Sequence, residues 1–194
     1  MRPQMLPFNI SILDTRNPKY RNLPTIKVSD IKDATTQDLH PEGLYSTVYF
    51  GRPGDPERNT RLAKIDLKTL VFTPKLFEVL TKLKGLYREI IEGGRYAIFD
   101  ESINDFVPAG ALDGETGFSF FVRYLDKLDL KRNSSKRRDL NIDLILKYRE
   151  ILLMDILLVL PAGLRDVDLS TDRPIESDIS SMYRGILGAT STIN

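Results

Sequence analysis

The sequence contains no cysteine and a single histidine, His40. Without cysteine there is no disulfide framework, thiolate zinc site, iron–sulfur cluster or thiol nucleophile, which points to a reducing compartment. One histidine excludes His-based triads and His-rich metal sites, and His40, beside Pro41, reads as a turn or surface residue. Charge of one sign is also missing. Lys plus Arg (28) against Asp plus Glu (27) leaves a net charge of +1, so no chain-wide field can hold nucleic acid or an anionic membrane, and any such binding must be local. The longest apolar run, 151–160, is broken by Asp155 and is about half of the roughly 20 residues that a membrane span needs. The first ten residues lack the apolar core of a signal peptide. What is present, 194 residues with 41% hydrophobic and 9% aromatic side chains, suffices for the core of one domain or two small ones. The expectation is a soluble, intracellular protein with no membrane partner.

Pro3, Pro7, Pro18, Pro24 and Pro41 interrupt every helix that the first part of the chain could form, so residues 1–42 read as an extended arm. The β-branched and aromatic stretch from Gly43 to Phe50 predicts a strand, closed by the turn Arg52-Pro53-Gly54-Asp55-Pro56. Alternation from Leu62 to Phe72 predicts a second strand. Thr73-Pro74 opens a helix with Leu76, Leu80, Leu83, Tyr87, Ile90 and Ile91 on one face, stopped at Gly93-Gly94. Residues 95–100 and 103–107 read as a pair of short strands. A helix from Thr116-Gly117 carries Phe118, Phe121, Val122, Leu125 and Leu128. Another, 139–154, uses Leu140, Leu144, Tyr148, Ile151 and Leu152. Residues 156–160 form a buried strand ending at Pro161, the turn-rich stretch 162–177 protrudes, and Ser177 caps a last helix with Ile179, Met182 and Ile186 inward.

The vocabulary for chemistry is thin. The glycines of 51–54 and 110–117 match neither a Walker loop nor a dinucleotide fingerprint. Asp166, Asp168 and Asp172 lack the glycine and closing glutamate of a calcium loop. The run Lys131 to Arg138, with Lys131, Arg132, Lys136, Arg137 and Arg138 and no acid, could neutralise several phosphates or be a solvated turn.

Read in order, these segments resemble the N-terminal part of the β′ subunit of multisubunit DNA-directed RNA polymerases. Leu39-His40-Pro41-Glu42-Gly43-Leu44-Tyr45-Ser46 followed by Tyr49-Phe50-Gly51 is similar to "F-x-P-x-x-x-G-L-F…I-F-G". Arg61 to Leu67 with Val71 resembles "R-M-G-H-I-E-L…V", and Thr116-Gly117 followed by Leu125, Leu128, Asp129 and Leu130 resembles "T-G-A-E-A-I…L-L…D-L". Val159-Leu160-Pro161 with Leu164 and Arg165 is similar to "V-L-P-P-D-L-R-P", and Ser177-Asp178 with Tyr183 and Arg184 to "S-D-L-N-D-L-Y-R-R". The order of the five, rather than any one of them, carries the resemblance. The four-cysteine zinc ribbon of bacterial members has no counterpart: 52–60 alone bridges that gap. The "N-A-D-F-D-G-D" loop that holds the catalytic magnesium is also absent. Cysteine-free, split subunits of this kind resemble those of large tailed bacteriophages.

The resemblance implies an α+β fold, elongated and mainly helical with short strands, clamp-like and without zinc. It implies a clamp-like core over 43–160, a lid-like loop over 161–177 and the start of the clamp coiled-coil helix over 178–194. It implies a nucleotidyltransferase complex in which this chain has no catalytic residue and binds no metal, Mg2+ lying on another subunit. Arg165, Arg173 and Lys131, Arg132, Lys136, Arg137 and Arg138 would face DNA or the RNA–DNA hybrid. Asp178, Met182, Tyr183 and Arg184 would meet partners: β-like and C-terminal β′-like subunits, or a promoter-specificity factor. The site of action would be the host cytoplasm or the virion. The rival from another class is a phage structural or assembly protein with no nucleic-acid role.

Overall fold

The computed structural model describes residues 14–29, 40–166 and 176–193. The fold is α+β, with seven helices and two small sheets among these residues. The chain forms two compact units: one from residues 1–71 and 153–194, the other from 72–152. The boundaries fall inside the expected core segment.

The first unit is built on a three-stranded sheet of order β1 (Thr25–Ile26), β2 (Ala63–Phe72), β5 (Leu153–Val159). β1 pairs parallel with β2, Ile26 opposite Ile65. One piece of the expected extended arm, Thr25–Ile26, is therefore built into the sheet. Before β1, Asn17 caps a single helical turn, α1 (Pro18–Arg21), with proline where a missing N–H costs nothing. Segments 1–13 and 30–39 of the arm lie outside the described residues.

The strand expected at 43–50 is instead a turn followed by α2 (Thr47–Phe50). The Ser46 hydroxyl accepts from the Tyr49 N–H at 3.1 Å and donates to the Pro41 carbonyl at 2.5 Å, so a local cap overrides β propensity. Leu44, Tyr45 and Phe50 still enter the core, where they join Ile26, Ala63, Ile65, Leu67, Val159, Ala162, Tyr183 and Leu187. The last helix, α7 (Asp178–Ser191), begins at Ser177, whose hydroxyl accepts from the Ser180 N–H. Its inward face is Ser180, Tyr183, Leu187 and Thr190, whereas Ile179 and Met182, expected inside, are exposed.

In the second unit the helix expected from Pro74 is two: α3 (Pro74–Leu83) and α4 (Gly85–Ile91). Lys84 between them is extended, and its ammonium donates to Asp105 and to the Phe106 carbonyl, both at 2.6 Å. The stop is the expected one, with Gly93 in the left-handed region. β3 (Ala97–Asp100) and β4 (Asp105–Pro108) form the antiparallel pair. Asp100 and Asp105 stand opposite each other, and Asp105 takes Lys84 and the Tyr87 hydroxyl as partners. α5 (Phe118–Tyr124) delivers Phe120 and Phe121 into an aromatic core, where Phe106 stacks on Phe121 at 4.8 Å. Phe120 lies outside the stripe that spacing suggested.

α6 (Lys136–Lys147) starts three residues earlier than expected, capped by Ser135, and it ends before Tyr148 rather than running to Met154. It packs on α3 through Arg138, Ile142 and Ile145, at i, i+4 and i+7, with Arg138 reaching the Leu83 carbonyl at 2.6 Å. Leu140, expected in the core, is therefore 69% exposed. The unit's two ends meet: Thr73 donates from its N–H to the Leu152 carbonyl (2.9 Å) and from its hydroxyl to the Ile151 carbonyl (2.6 Å).

Candidate nucleic-acid and partner interface

Two arginines of the first unit, Arg58 and Arg165, are buried. Arg165 was expected to pair with phosphate on a protruding loop; it is 2% exposed. Its guanidinium donates to the Leu160 carbonyl at 2.9 Å, the Leu44 carbonyl at 2.5 Å and the Ser180 hydroxyl at 3.4 Å. Three rings surround it, Tyr45 and Phe50 at 5.2 Å and Tyr183 at 5.6 Å from the guanidinium carbon. Burial pushes its pKa down from the ordinary arginine value, and among the described residues no carboxylate accepts from it; carbonyls and π faces hold the charge instead. The physical reason for the correction is the short turn Ala162–Leu164, which directs the side chain back under Leu160.

Asp166 is held by a residue that sequence reasoning missed. Arg58 is 3% exposed, grips the Asp166 carboxylate at 2.5 and 2.9 Å, and donates to the Gly51 carbonyl at 2.8 Å. Glu176 accepts from the Tyr45 hydroxyl at 3.1 Å and from Arg184 at 2.6 Å. Desolvation raises the Tyr45 pKa to about 12, so that hydroxyl is a permanent donor. Two anchored acids, Asp166 and Glu176, thus lie within the segment expected to be a lid. Arg173, Asp168 and Asp172 lie outside the described residues.

Of the proposed partner residues, Tyr183 is buried and its hydroxyl bridges the Leu160 N–H and the Leu158 carbonyl, both at 3.2 Å; it belongs to the core and not to a surface. Arg184 is occupied by Glu176. Asp178 is exposed in the first turn of α7, where an acid is favoured by the helix dipole, and Met182 is 67% exposed.

The cationic run of the second unit divides sharply. Lys131 pairs with Asp129, and Arg132 with Asp143 at 2.5 Å, a contact that raises the Arg132 pKa. Arg138 donates to the Lys131 and Leu83 carbonyls. Among the described residues the side chains of Lys136 and Arg137 have no ion-pair or hydrogen-bond partner. Arg137 and Arg138 line a cleft of about 370 Å³ with Lys82, Leu83, Ser135 and Asn141. No signal along the chain marks Lys82 or Asn141 as neighbours of the run.

Among the described residues no group of three or more His, Asp or Glu side chains is placed to hold a metal, and no helix is long and apolar enough to cross a membrane. No family model matches the chain, and no curated protein matches it.

Proposed function

We propose that this chain is a non-catalytic, N-terminal β′-like piece of a multisubunit DNA-directed RNA polymerase, building a clamp base and flanking a lid while other polypeptides supply the magnesium and nucleotide chemistry. One observation supports the reading above the rest. Four of the five segments that carry the resemblance meet in a single core: Leu44, Tyr45 and Phe50 from the first, Ala63, Ile65 and Leu67 from the second, Val159 from the fourth and Tyr183 from the fifth. Arg165 of the fourth segment binds the first through the Leu44 carbonyl and stacks against Tyr183 of the last. The first, fourth and fifth segments thus meet at one buried cation, as parts of a single inherited unit would. Arg58 and Arg184, which fix the acids on either side of 167–175, suit a segment that acts as a wedge on a rigid base.

In this reading DNA and the RNA–DNA hybrid, a β-like subunit, a C-terminal β′-like subunit and a promoter-specificity factor are the partners, and the exposed Lys136 and Arg137 lie toward nucleic acid. The test is purification of the tagged chain from the cells that express it. Recovery with polypeptides carrying the aspartate-rich magnesium loop, and with nucleotide incorporation on a DNA template, is the expected outcome. Recovery alone, or only with virion structural proteins, rejects the proposal in favour of a structural role.

A further inference from the structure

We infer that the cleft between the end of α3 and the start of α6 is a phosphoryl-binding site, one that takes a phosphodiester of a nucleic-acid strand. The inference rests on the nucleic-acid reading of the cationic run made above and gives it a site within the second unit.

Three of the six lining residues are cations, Lys82, Arg137 and Arg138, and none is an acid. A run of basic residues at a surface ordinarily finds acids to pair with, and two of the five here do: Lys131 and Arg132 are taken by Asp129 and Asp143, neither of which lines the cleft. Arg137 has no such partner among the described residues. Nor is its position explained by helix stability, because consecutive cations in the first turn oppose the dipole of α6, whose one acid there is Asp139.

The donors are arranged for an oxygen-rich ligand. Arg138 is locked by two backbone carbonyls, at 2.7 and 2.6 Å through Nε and Nη1, so its Nη2 group is held in place without an acceptor among the described residues. The Ser135 hydroxyl accepts from the Arg138 N–H at 3.4 Å, which leaves its own O–H to donate. The Asn141 amide and the Arg137 guanidinium complete the set, and Lys82, which shares its ammonium with Glu78, adds positive charge on the α3 wall. A carboxylate offers two acceptor oxygens in a plane; a tetrahedral phosphoryl group accepts from several directions at once and so can use more of these donors.

The full chain is titrated into a fluorescently labelled 12-nucleotide single-stranded DNA at low salt, with anisotropy as the readout. A second arm adds inorganic phosphate alone to isotopically labelled protein and follows backbone amide shifts. Arg137→Gln is expected to weaken DNA binding about five-fold or more and to lower the slope of log K against log salt by about 1. Arg123→Gln, a cation of the same unit outside the cleft, is expected to change it less than two-fold. Arg137→Lys recovers the charge but not the fork, and recovers binding only in part. Equal losses in Arg137→Gln and Arg123→Gln overturn the inference, since binding is then diffuse charge. Phosphate-induced shifts at Ser135–Asn141 with DNA binding unaffected by Arg137→Gln reject the nucleic-acid ligand and leave a site for free phosphate. Absence of both responses rejects the site. Circular dichroism of each variant establishes that a loss is not unfolding.

Discussion

A charged residue drawn wholly inside a small protein is destabilising unless its surroundings replace the lost water, and around Arg165 two carbonyls, a hydroxyl and three ring faces do so. Truncation to Met preserves bulk but orphans the Leu44 and Leu160 carbonyls. Arg165→Met is therefore expected to cost about 2–4 kcal/mol, seen as a lower urea midpoint at unchanged slope. Arg165→Lys should recover less than half of that loss, because an ammonium lacks the planar fork that serves the two carbonyls through Nε and Nη2. A much smaller effect belongs to Asp155, whose carboxylate receives both ends of the Arg21 guanidinium at 2.7 and 2.8 Å, a hydrogen-bonded contact that lowers its pKa. A depressed acid stabilises the fold above its unfolded value and stops doing so as pH falls through the folded one. Both partners are 40% exposed, so Asp155→Asn should cost under about 1 kcal/mol at pH 7. The difference from wild type, measured by denaturation across pH, should begin to shrink as pH falls through the ordinary carboxylate range near about 4 and vanish only below the lowered folded value.

Elements announced by local chemistry were legible along the chain. Thr73-Pro74 and Ser177 mark true helix starts, Gly93 a true stop, the alternation at 62–72 a true strand, and the short segments 95–100 and 103–107 a true antiparallel pair. Illegible were the faces of α6 and α7 and the break at Lys84, because in each case a buried or anchored polar group decides the outcome through a distant partner. Arg138 turns α6 by reaching Leu83, and Arg165 draws Ser180 and Tyr183 inward while bonding Leu44, 121 positions away. Hydrophobic periodicity carries no trace of such bonds. The same limit hid Arg58, whose partner Asp166 lies 108 positions on. Of the candidate site, the basic run was visible as composition; which of its cations remain available was not. Gly114 is a test at this scale, since a Cβ there would sit 3.0 Å from the Ala97 nitrogen and 2.9 Å from the Ala109 Cβ, where Glu115 pairs with Ala97. Gly114→Ala should lower stability by about 1–3 kcal/mol, whereas Gly110→Ala, facing open space, should leave it within about 0.5 kcal/mol, both read by thermal melts.

At the scale of the molecule, one unit is continuous in sequence and the other is not. Residues 72–152 begin and end within hydrogen-bond distance through Thr73 and Leu152, and they enclose their own aromatic core. The excised fragment 72–152 is expected to fold cooperatively, with dispersed amide signals and a single melting transition. Failure to do so would show that its core needs the rest of the chain. In the full chain, Arg165→Met should speed hydrogen exchange in α7 and leave β3 and β4 at wild-type rates.

The division also sets an order on the ribosome. The sheet and core of the first unit require Val159, Tyr183 and Leu187, so β1, α2 and β2 emerge well before the pieces that cover them. The 72–152 unit can close during that interval, while the apolar side chains of its predecessor wait unburied. Translation speed through residues 153–187 thus governs how long that surface is available to chaperones or to misassociation.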